Sequence, residues 1–243
     1  TIGVALVEGV DDEDHDRRER DGREDDAADH EPAILTTDGQ LPDVVHDFGV
    51  LASFGDLPPN EFAAYEQQTG LSRAELERIS LTKPPLGAWA ALKLDDHSHN
   101  WLRSVWPTLH SAHEWWWTTP AKVSMSYPVY EHPFSSGLDD SPVFDQPGPR
   151  TSPDLVAYLL LEESILAEIA SRIGADWDER LSAQRCALLQ SCLNEMWEAE
   201  LDLFRSIGRA GFGGSDTVLT LLPLLTNALT DEQVSALVDA CRS

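Results

Sequence analysis

Lysine is scarce in this chain, which has three Lys and fourteen Arg among 243 residues. The chain also has 43 Asp and Glu residues, so its formal net charge is −26 at pH 7. A field of this sign repels phosphate groups and disfavours nucleic acid as a partner. An acidic, Lys-poor surface is typical of halophilic proteins, because dissolved salt screens the self-repulsion of such a surface.

Cysteine is also scarce, with Cys186, Cys192 and Cys241 as its only positions and no C-x-x-C pair. An odd number without paired spacing disfavours both a disulfide framework and a zinc ribbon. A reducing interior is the simpler interpretation, so we expect a cytoplasmic protein.

Long apolar runs are missing too. None approaches the ~20 residues that a membrane-spanning helix requires, so we expect no membrane partner. The opening stretch "TIGVALVEGV" lacks an initiator Met and a basic leader region. We therefore expect the sequence to begin inside a longer reading frame.

What the chain does have is enough apolar material for a core, with 42% hydrophobic residues and eight Trp. The exception is Glu8–Glu31, which holds thirteen acidic and four basic residues. Such a run predicts a solvated, disordered segment over residues 1–32; an acidic tail that mimics nucleic acid or binds cations is the less favoured alternative. The folded domain is expected over residues 33–243.

Helical periodicity dominates that domain, and the alternation typical of strands is nearly absent. Ser152 followed by Pro153 predicts a helix start, and Gly174 predicts its end. Residues 58–81 predict a short helix, a Gly stop and a second helix that begins at a capping box of Ser72 and Glu75. Further predicted helices cover residues 84–94, 100–117, 153–173, 178–204, 215–229 and 230–243. The sequence thus predicts an all-α fold of helix pairs joined by loops.

Three consecutive tryptophans, Trp115, Trp116 and Trp117, end the second of these helices. Three successive helical residues span about 200° of arc, so they cannot all face one core. We expect at least one to lie at an edge, where its ring stacks on a sugar or covers a neighbouring helix.

Four histidines, His97, His99, His110 and His113, raise the question of a metal site. The sequence has no H-E-x-x-H motif and offers no third ligand at a recognised spacing. We expect these histidines to be packing or surface residues and expect no metal.

Glu131–Asp145, "EHPFSSGLDDSPVFD", concentrates carboxylates in a stretch broken by Gly and Pro. Such a stretch is neither a helix interior nor a central strand, so its carboxylates lie on a loop. Loops of this kind carry chemistry or are merely solvated, and composition alone does not choose between the two.

The loop "HPFSSGLDDSPVFD" resembles the signature H-P-W-E-S-G-x-D-N-S-P-x-x-D of inverting α-glycosidases with an (α/α)6 toroid. The nearest family is glycoside hydrolase family 63, with its relatives that act on mannosylglycerate and glucosylglycerate; trehalases share the S-G-x-D core. Three further pieces occur in the family's order: "DGQLP", then "TKPPLGAWAAL" with "VWPTLHSAHEWWW", and finally "MWEAELDLF" with "LLPLL". The resemblance implies a partial (α/α)6 toroid built of helix hairpins.

Carried onto this sequence, the resemblance assigns the general acid to Asp139. Inverting hydrolysis needs one protonated carboxyl group to donate to the leaving oxygen and a second carboxylate to activate water. Asp140 and the aromatic Phe134 are expected to favour the protonated form of Asp139. Gly137 and Pro142 are expected to fix its direction. No cofactor is implied.

The departures from the family's pattern affect substrate contacts. Ser135 stands in the place of a usual Glu, and Phe134 in the place of a usual Trp. Lys83 replaces the Gln of Q-P-P, a position that contacts substrate in the family. Lys83 favours an anionic aglycone such as glycerate, or else marks a loss of function.

The resemblance also implies that the chain is incomplete. The family's general base is a Glu after a Y-W-R-G-x-x-W helix, and no such motif precedes Ser243. We therefore expect the parent enzyme to hydrolyse an α-linked glucoside or mannoside and this chain alone to be inactive. The alternative is a non-catalytic helical module that binds sugar or protein. Half a toroid leaves an open apolar inner face, which favours self-association.

Overall fold

The structure is a computed structural model that describes residues 39–41, 59–60, 63, 66–67, 72–76, 81–95, 97–118, 126–145, 148–209, 211–214 and 217–242. The predicted acidic segment 1–32 lies outside these residues, and its disorder stays a prediction. The described part is mainly helical, which confirms the predicted all-α class.

Six α-helices are described: α1 (Arg73–Leu76), α2 (Gly87–Leu94), α3 (Asn100–Thr118), α4 (Pro153–Ile173), α5 (Glu179–Met196) and α6 (Asp231–Ala240). Three 3-10 helices cover Pro133–Ser136, Pro142–Phe144 and Val218–Leu225. Five strands of two residues each complete the described elements: β1 (Arg150–Thr151), β2 (Trp197–Glu198), β3 (Leu203–Phe204), β4 (Ile207–Gly208) and β5 (Gly211–Phe212).

Helix α4 is the centre of the core and packs against α2, α3, α5 and the 3-10 helix Val218–Leu225. It begins and ends where the sequence predicts. Pro153 occupies the first turn, where its missing N–H leaves no bond unmade. Gly174 adopts a left-handed conformation at φ 71°, and its N–H donates to the carbonyl of Ala170. The fully buried apolar positions of α4 are Leu155, Val156, Ala157, Leu159, Leu166 and Ile169.

The prediction of one helix over residues 178–204 is wrong at its C-terminal end. Helix α5 stops at Met196, and Trp197–Glu198 pairs with Leu203–Phe204 as an antiparallel hairpin. The rings of Trp197 and Phe204, which lie opposite each other, have centroids 4.9 Å apart at 64°. Cross-strand aromatic packing and the burial of Phe204 outweigh the helical periodicity of this segment.

The prediction of an α-helix over residues 215–229 is also corrected. The described part of this segment forms the shorter 3-10 helix Val218–Leu225, with Pro223 inside it. Proline has no N–H to donate and crowds the carbonyl four residues earlier, so it disfavours the α-helical alternative.

The expectation that one of the three tryptophans lies at an edge is wrong. Trp115, Trp116 and Trp117 are all buried, with exposed fractions of 5%, 4% and 9%. Their helix end is covered from several directions. Trp116 packs edge-on against Tyr130, with ring centroids 5.9 Å apart. The guanidinium carbon of Arg185 lies over Trp117, 4.8 Å from the centroid of its ring.

A small three-stranded sheet lies beside the predicted loop. Its strand order is β1-β4-β5, and both pairings are antiparallel. Tyr130 forms a bridge to Arg150 at the start of β1, with the two backbone N–H groups donating at 2.9 and 3.0 Å. This bridge closes the base of the loop. Within the described ranges, none of the helices has the length and apolar character needed to cross a membrane.

Candidate active site

The loop 131–145 is shaped by two short 3-10 turns. In the first, Pro133–Ser136, the Nδ1 of His132 accepts a hydrogen bond from the N–H of Phe134. Gly137 ends this turn with φ 75°, a conformation that disfavours other residues. Pro142 begins the second turn, Pro142–Phe144, directly after the capping residue Ser141.

His132 is a buried residue of the loop that sequence reasoning passed over. Its side chain is buried, and burial lowers its pKa to about 4, so the ring is neutral near pH 7. A neutral ring that accepts from Phe134 at Nδ1 carries its proton on Nε2. The rings of His132 and Phe134 also meet edge to face, with centroids 4.4 Å apart. The signal in the sequence is the His-Pro pair that opens the motif.

Asp139 and Asp140 lie between the two turns, and both side chains are exposed. They line an open groove of about 450 Å³ together with Gly137, Leu138, Ser141 and Pro142. This volume is within the range of small-molecule sites. The structure thus brings Asp139, Asp140 and Gly137 to one groove, as the sequence motif suggests.

The opposite wall of the groove comes from Thr217 and Val218, which sequence reasoning missed. The Oγ of Ser141 donates to the Oγ1 of Thr217 at 3.0 Å, although 76 residues separate them. Val218 is 54% exposed, so it presents an apolar surface beside the two carboxylates. Thr217 and Val218 lie close in the chain to "LLPLL", one of the pieces that resemble the family. This proximity is the only sequence signal that indicates them as groove residues.

Lys83 and Phe134, the other predicted substrate contacts, touch each other. The Nζ of Lys83 donates to the carbonyl oxygen of Phe134 at 3.0 Å. Beside them, the N–H of Thr82 donates to the Oγ of Ser135 at 3.2 Å, so the residue in the place of the usual Glu is buried in a backbone contact. Among the described residues, neither Lys83 nor Phe134 lines the groove of Asp139.

The described part of the "DGQLP" turn joins the same region. The Nε2 of Gln40 donates to the carbonyl of Leu81, and the Oγ1 of Thr82 donates to the carbonyl of Leu41, both at 2.6 Å. Gly39 has φ 93°, and a side chain there would come within 2.7 Å of the α3 backbone. Pieces of the sequence motif that are some 40 residues apart therefore meet beside the loop.

A buried charge cluster lies between α3, α4 and α5. Nδ1 of His113 is 2.8 Å from Oε2 of Glu162, and Nε2 is 2.9 Å from Oε1 of Glu163. Burial lowers the pKa of His113, but the two carboxylates raise it more, and the net pKa is about 9. Glu163 also accepts from the Oγ of Ser182, and Arg185 approaches it at 3.9 Å. At neutral pH His113 is therefore a cation that holds three helices together.

The other histidines give no sign of a metal centre. Among the described residues, no group of three or more His, Cys, Asp or Glu side chains is arranged to hold a metal ion. His110 packs against Trp106 and Trp177, and His99 pairs with Asp95 at 2.6 Å.

The family model described as "Mannosylglycerate hydrolase MGH1-like glycoside hydrolase domain" matches residues 24–243. No sequence among the curated proteins matches the chain.

Among solved structures, the chain resembles the GH63 mannosylglycerate hydrolase from Thermus thermophilus in complex with glucose. The TM-score is 0.63 at 19% identity, over 84% of this chain and 60% of that one. The same hydrolase in complex with Tris and D-glycerate gives a TM-score of 0.63 at 16% identity, over 84% and 62%. The chain thus spans about 60% of the length of these structures.

The likeness confirms the predicted fold class, a partial (α/α)6 toroid. The family model covers most of the chain, including every segment that builds the groove. This chain is a member of the mannosylglycerate hydrolase MGH1-like glycoside hydrolase family.

Proposed function

We propose that this chain is the acid-bearing part of an inverting glycosidase that hydrolyses an α-linked glucoside or mannoside. The substrate would be of the glycosylglycerate, trehalose or oligosaccharide type. The observation that carries the proposal is the groove at the family's motif, where Asp139 is exposed within a cleft large enough for a sugar. Membership of the family supports the reaction class.

Asp139 is the general acid of this proposal. Its carboxyl group donates a proton to the leaving oxygen, and a carboxylate outside this chain activates the attacking water. Asp140 and Gly137 line the same groove and contact the sugar, and Val218 offers an apolar surface to the face of the ring. We expect no metal or cofactor to take part.

Lys83 lies outside the groove of Asp139, so in this proposal it sets the preference for the leaving group by contacting an aglycone that extends beyond the groove. Its ammonium, a group with three N–H donors, is held in place by the Phe134 carbonyl at 3.0 Å. An ammonium at a position where the family usually has Gln favours a negatively charged aglycone such as glycerate. The D-glycerate complex of the Thermus hydrolase is consistent with this aglycone class.

The free cysteines and the net charge fit one cellular environment. Cys186, Cys192 and Cys241 are free thiols, which suits a reducing cytoplasm. The net charge of −26 suits high salt. Self-association through the open side of the partial toroid completes the proposal.

The test compares Asp139→Asn with Asp145→Asn in the protein expressed from its complete reading frame. Asp145 is an exposed carboxylate of the same loop that does not line the groove, so it is a matched control. We expect Asp139→Asn to lower kcat for mannosylglycerate, glucosylglycerate or trehalose by about 10²- to 10⁴-fold, the usual contribution of a general acid. Asp145→Asn should retain kcat within about twofold.

The 243-residue chain is tested separately by titration calorimetry with mannosylglycerate and glucosylglycerate. We expect binding with little or no turnover, because the base lies elsewhere. Asp139-dependent turnover by this chain would overturn the placement of the base. Binding without turnover in the complete protein would instead favour the non-catalytic sugar-binding module.

A further inference from the structure

The loop 131–145 packs against a glycine-rich hairpin that lies more than 60 residues later in the chain. We call residues 205–209 and 211–214 the support hairpin; it contains β4 and β5, with Gly213 and Gly214 after the second strand. Gly208 of β4 and Gly211 of β5 are paired in the antiparallel register. The Nε of Arg205 donates to the carbonyl of Gly213 at 2.8 Å, which ties the end of the hairpin to its start.

Two successive loop carbonyls are held by this hairpin. The N–H of Gly214 donates to the carbonyl of Pro142 at 3.2 Å. The Oγ of Ser206 donates to the next carbonyl, that of Val143, also at 3.2 Å. Pro142 and Val143 follow Asp139 by three and four residues, so these bonds fix the backbone of the second 3-10 turn, close to the acid in the chain.

The glycines permit a backbone approach that other residues would block. A Cβ at Gly214 would lie 2.7 Å from the Pro142 carbonyl oxygen and 2.8 Å from its Cβ. A Cβ at Gly213 would lie 2.7 Å from the Val143 carbonyl oxygen and would also strike the Oγ of Ser206. Real side chains do not come this close, so the loop would have to move.

Arg150 stabilises the contact between Ser206 and the Val143 carbonyl by donating to Ser206. Its side chain is almost completely buried, and its Nη1 donates to the Oγ of Ser206 at 3.2 Å and to the carbonyl of Gly211 at 3.4 Å. Hydrogen bonds therefore run from Arg150 to Ser206 and from Ser206 to Val143. A charged donor at the start of such a chain polarises and strengthens the bonds that follow.

We infer that the support hairpin, through Gly213, Gly214 and Ser206, is the element that positions Asp139 in the groove. This inference rests on the proposed function, since Asp139 is the acid in question. None of these residues lines the groove, so they act on the reaction through the loop alone. A displacement of about 1 Å in a catalytic group lowers the rate by about 100-fold.

The test is Gly214→Ala, with Gly87→Ala as the control. Gly87 opens α2, and a Cβ there would make only an ordinary contact at 3.5 Å. In the complete protein we expect Gly214→Ala to lower kcat about 100-fold with KM within about threefold. Gly87→Ala should leave both unchanged. Ser206→Ala, which removes one donor without adding volume, should lower kcat about tenfold and is the second variant if Gly214→Ala does not fold.

Hydrogen exchange in the 243-residue chain gives a readout independent of activity. We expect the amides of Phe144 and Asp145 to exchange at least tenfold faster in Gly214→Ala, while those of α4 are unchanged. If Gly214→Ala and Ser206→Ala match Gly87→Ala in both measurements, the inference is overturned and the proposed function stands. If the loop amides respond but the complete protein hydrolyses no α-glycoside, the hairpin holds the loop and the proposed function fails.

Discussion

His113 keeps a positive charge inside the protein because two carboxylates face it. Taking a charge out of water is unfavourable, and an imidazolium at this position is stabilised by the carboxyl groups of Glu162 and Glu163, which lie 2.8 and 2.9 Å from its two ring nitrogens. Arg185 adds a second cation at the edge of the cluster, where both its terminal nitrogens donate to Glu114 at 2.7 Å. Removing one member leaves the others buried without their partner.

This cluster predicts a loss of stability at alkaline pH. The pKa of His113 rises from 6.5 to about 9 on folding, so the folded state binds its proton more tightly. The contribution is therefore complete below pH 6.5 and is lost as the pH rises through 9. The expected change is about 3 kcal/mol, at 1.36 kcal/mol per pKa unit. Urea unfolding between pH 6 and 10 measures it.

The controls for that measurement are His113→Gln and His110→Gln. We expect His113→Gln to unfold more easily by about 3–5 kcal/mol at pH 6.5 and to lose the alkaline dependence. His110 contacts aromatic rings and belongs to no ion pair among the described contacts, so His110→Gln should keep the wild-type pH profile. Parallel pH curves for wild type and His113→Gln would contradict the assignment.

Sequence reasoning expected His113 to be a packing or surface residue and did not indicate its partners. The residue lies on the apolar stripe of α3, and this pattern is local. Glu162 and Glu163 are 49 and 50 residues away, and adjacent glutamates on a helix are usually solvated. Nothing in either stretch alone indicates that the charges meet in the core.

At the scale of elements, local capping signals predict helix boundaries, whereas side-chain packing overrides a boundary that is predicted from periodicity alone. Helix α4 begins at Pro153 and ends at Gly174 because these residues fix their own backbone geometry. Helix α5 ends early because Trp197 pairs with Phe204 in a hairpin. The helical periodicity of this segment does not indicate that hairpin. The groove likewise has one part that the sequence predicts and one that it does not. The local motif predicts Asp139, whereas the wall at Thr217 comes from a distant segment.

Helix α6 offers a test of a local signal. Thr230 and Gln233 form a capping box, in which the Thr230 side chain accepts from the Gln233 N–H and the Gln233 side chain accepts from the Thr230 N–H. We expect Thr230→Ala to lower the free energy of unfolding by about 1 kcal/mol. Thr230→Ser, which keeps the hydroxyl, should restore most of it. Equal stabilities for the Ala and Ser variants by urea titration would show that the cap contributes nothing.

At the scale of the whole molecule, the charge of −26 predicts a response to salt. Self-repulsion among the carboxylates opposes the folded state, and the screening length falls from about 10 Å at 0.1 M to about 3 Å at 1 M. We therefore expect the melting temperature to rise as KCl increases over this range. Calorimetry measures the shift, and a neutral solute at equal osmolality is the control. A melting temperature that falls or stays constant in KCl would contradict the prediction.

The contacts that hold the loop 131–145 and its groove also set an order for folding. Helices α4 and α5 are neighbours in the chain, so they can pair after a short loop closes. In contrast, Gln40 reaches Leu81 over 41 residues, Thr82 reaches Ser135 over 53, and Ser141 reaches Thr217 over 76. Contacts between residues so distant in the chain form slowly, since their loop-closure entropy is spent before they stabilise anything. In a refolding experiment we expect the helical core to form first and the groove to form last.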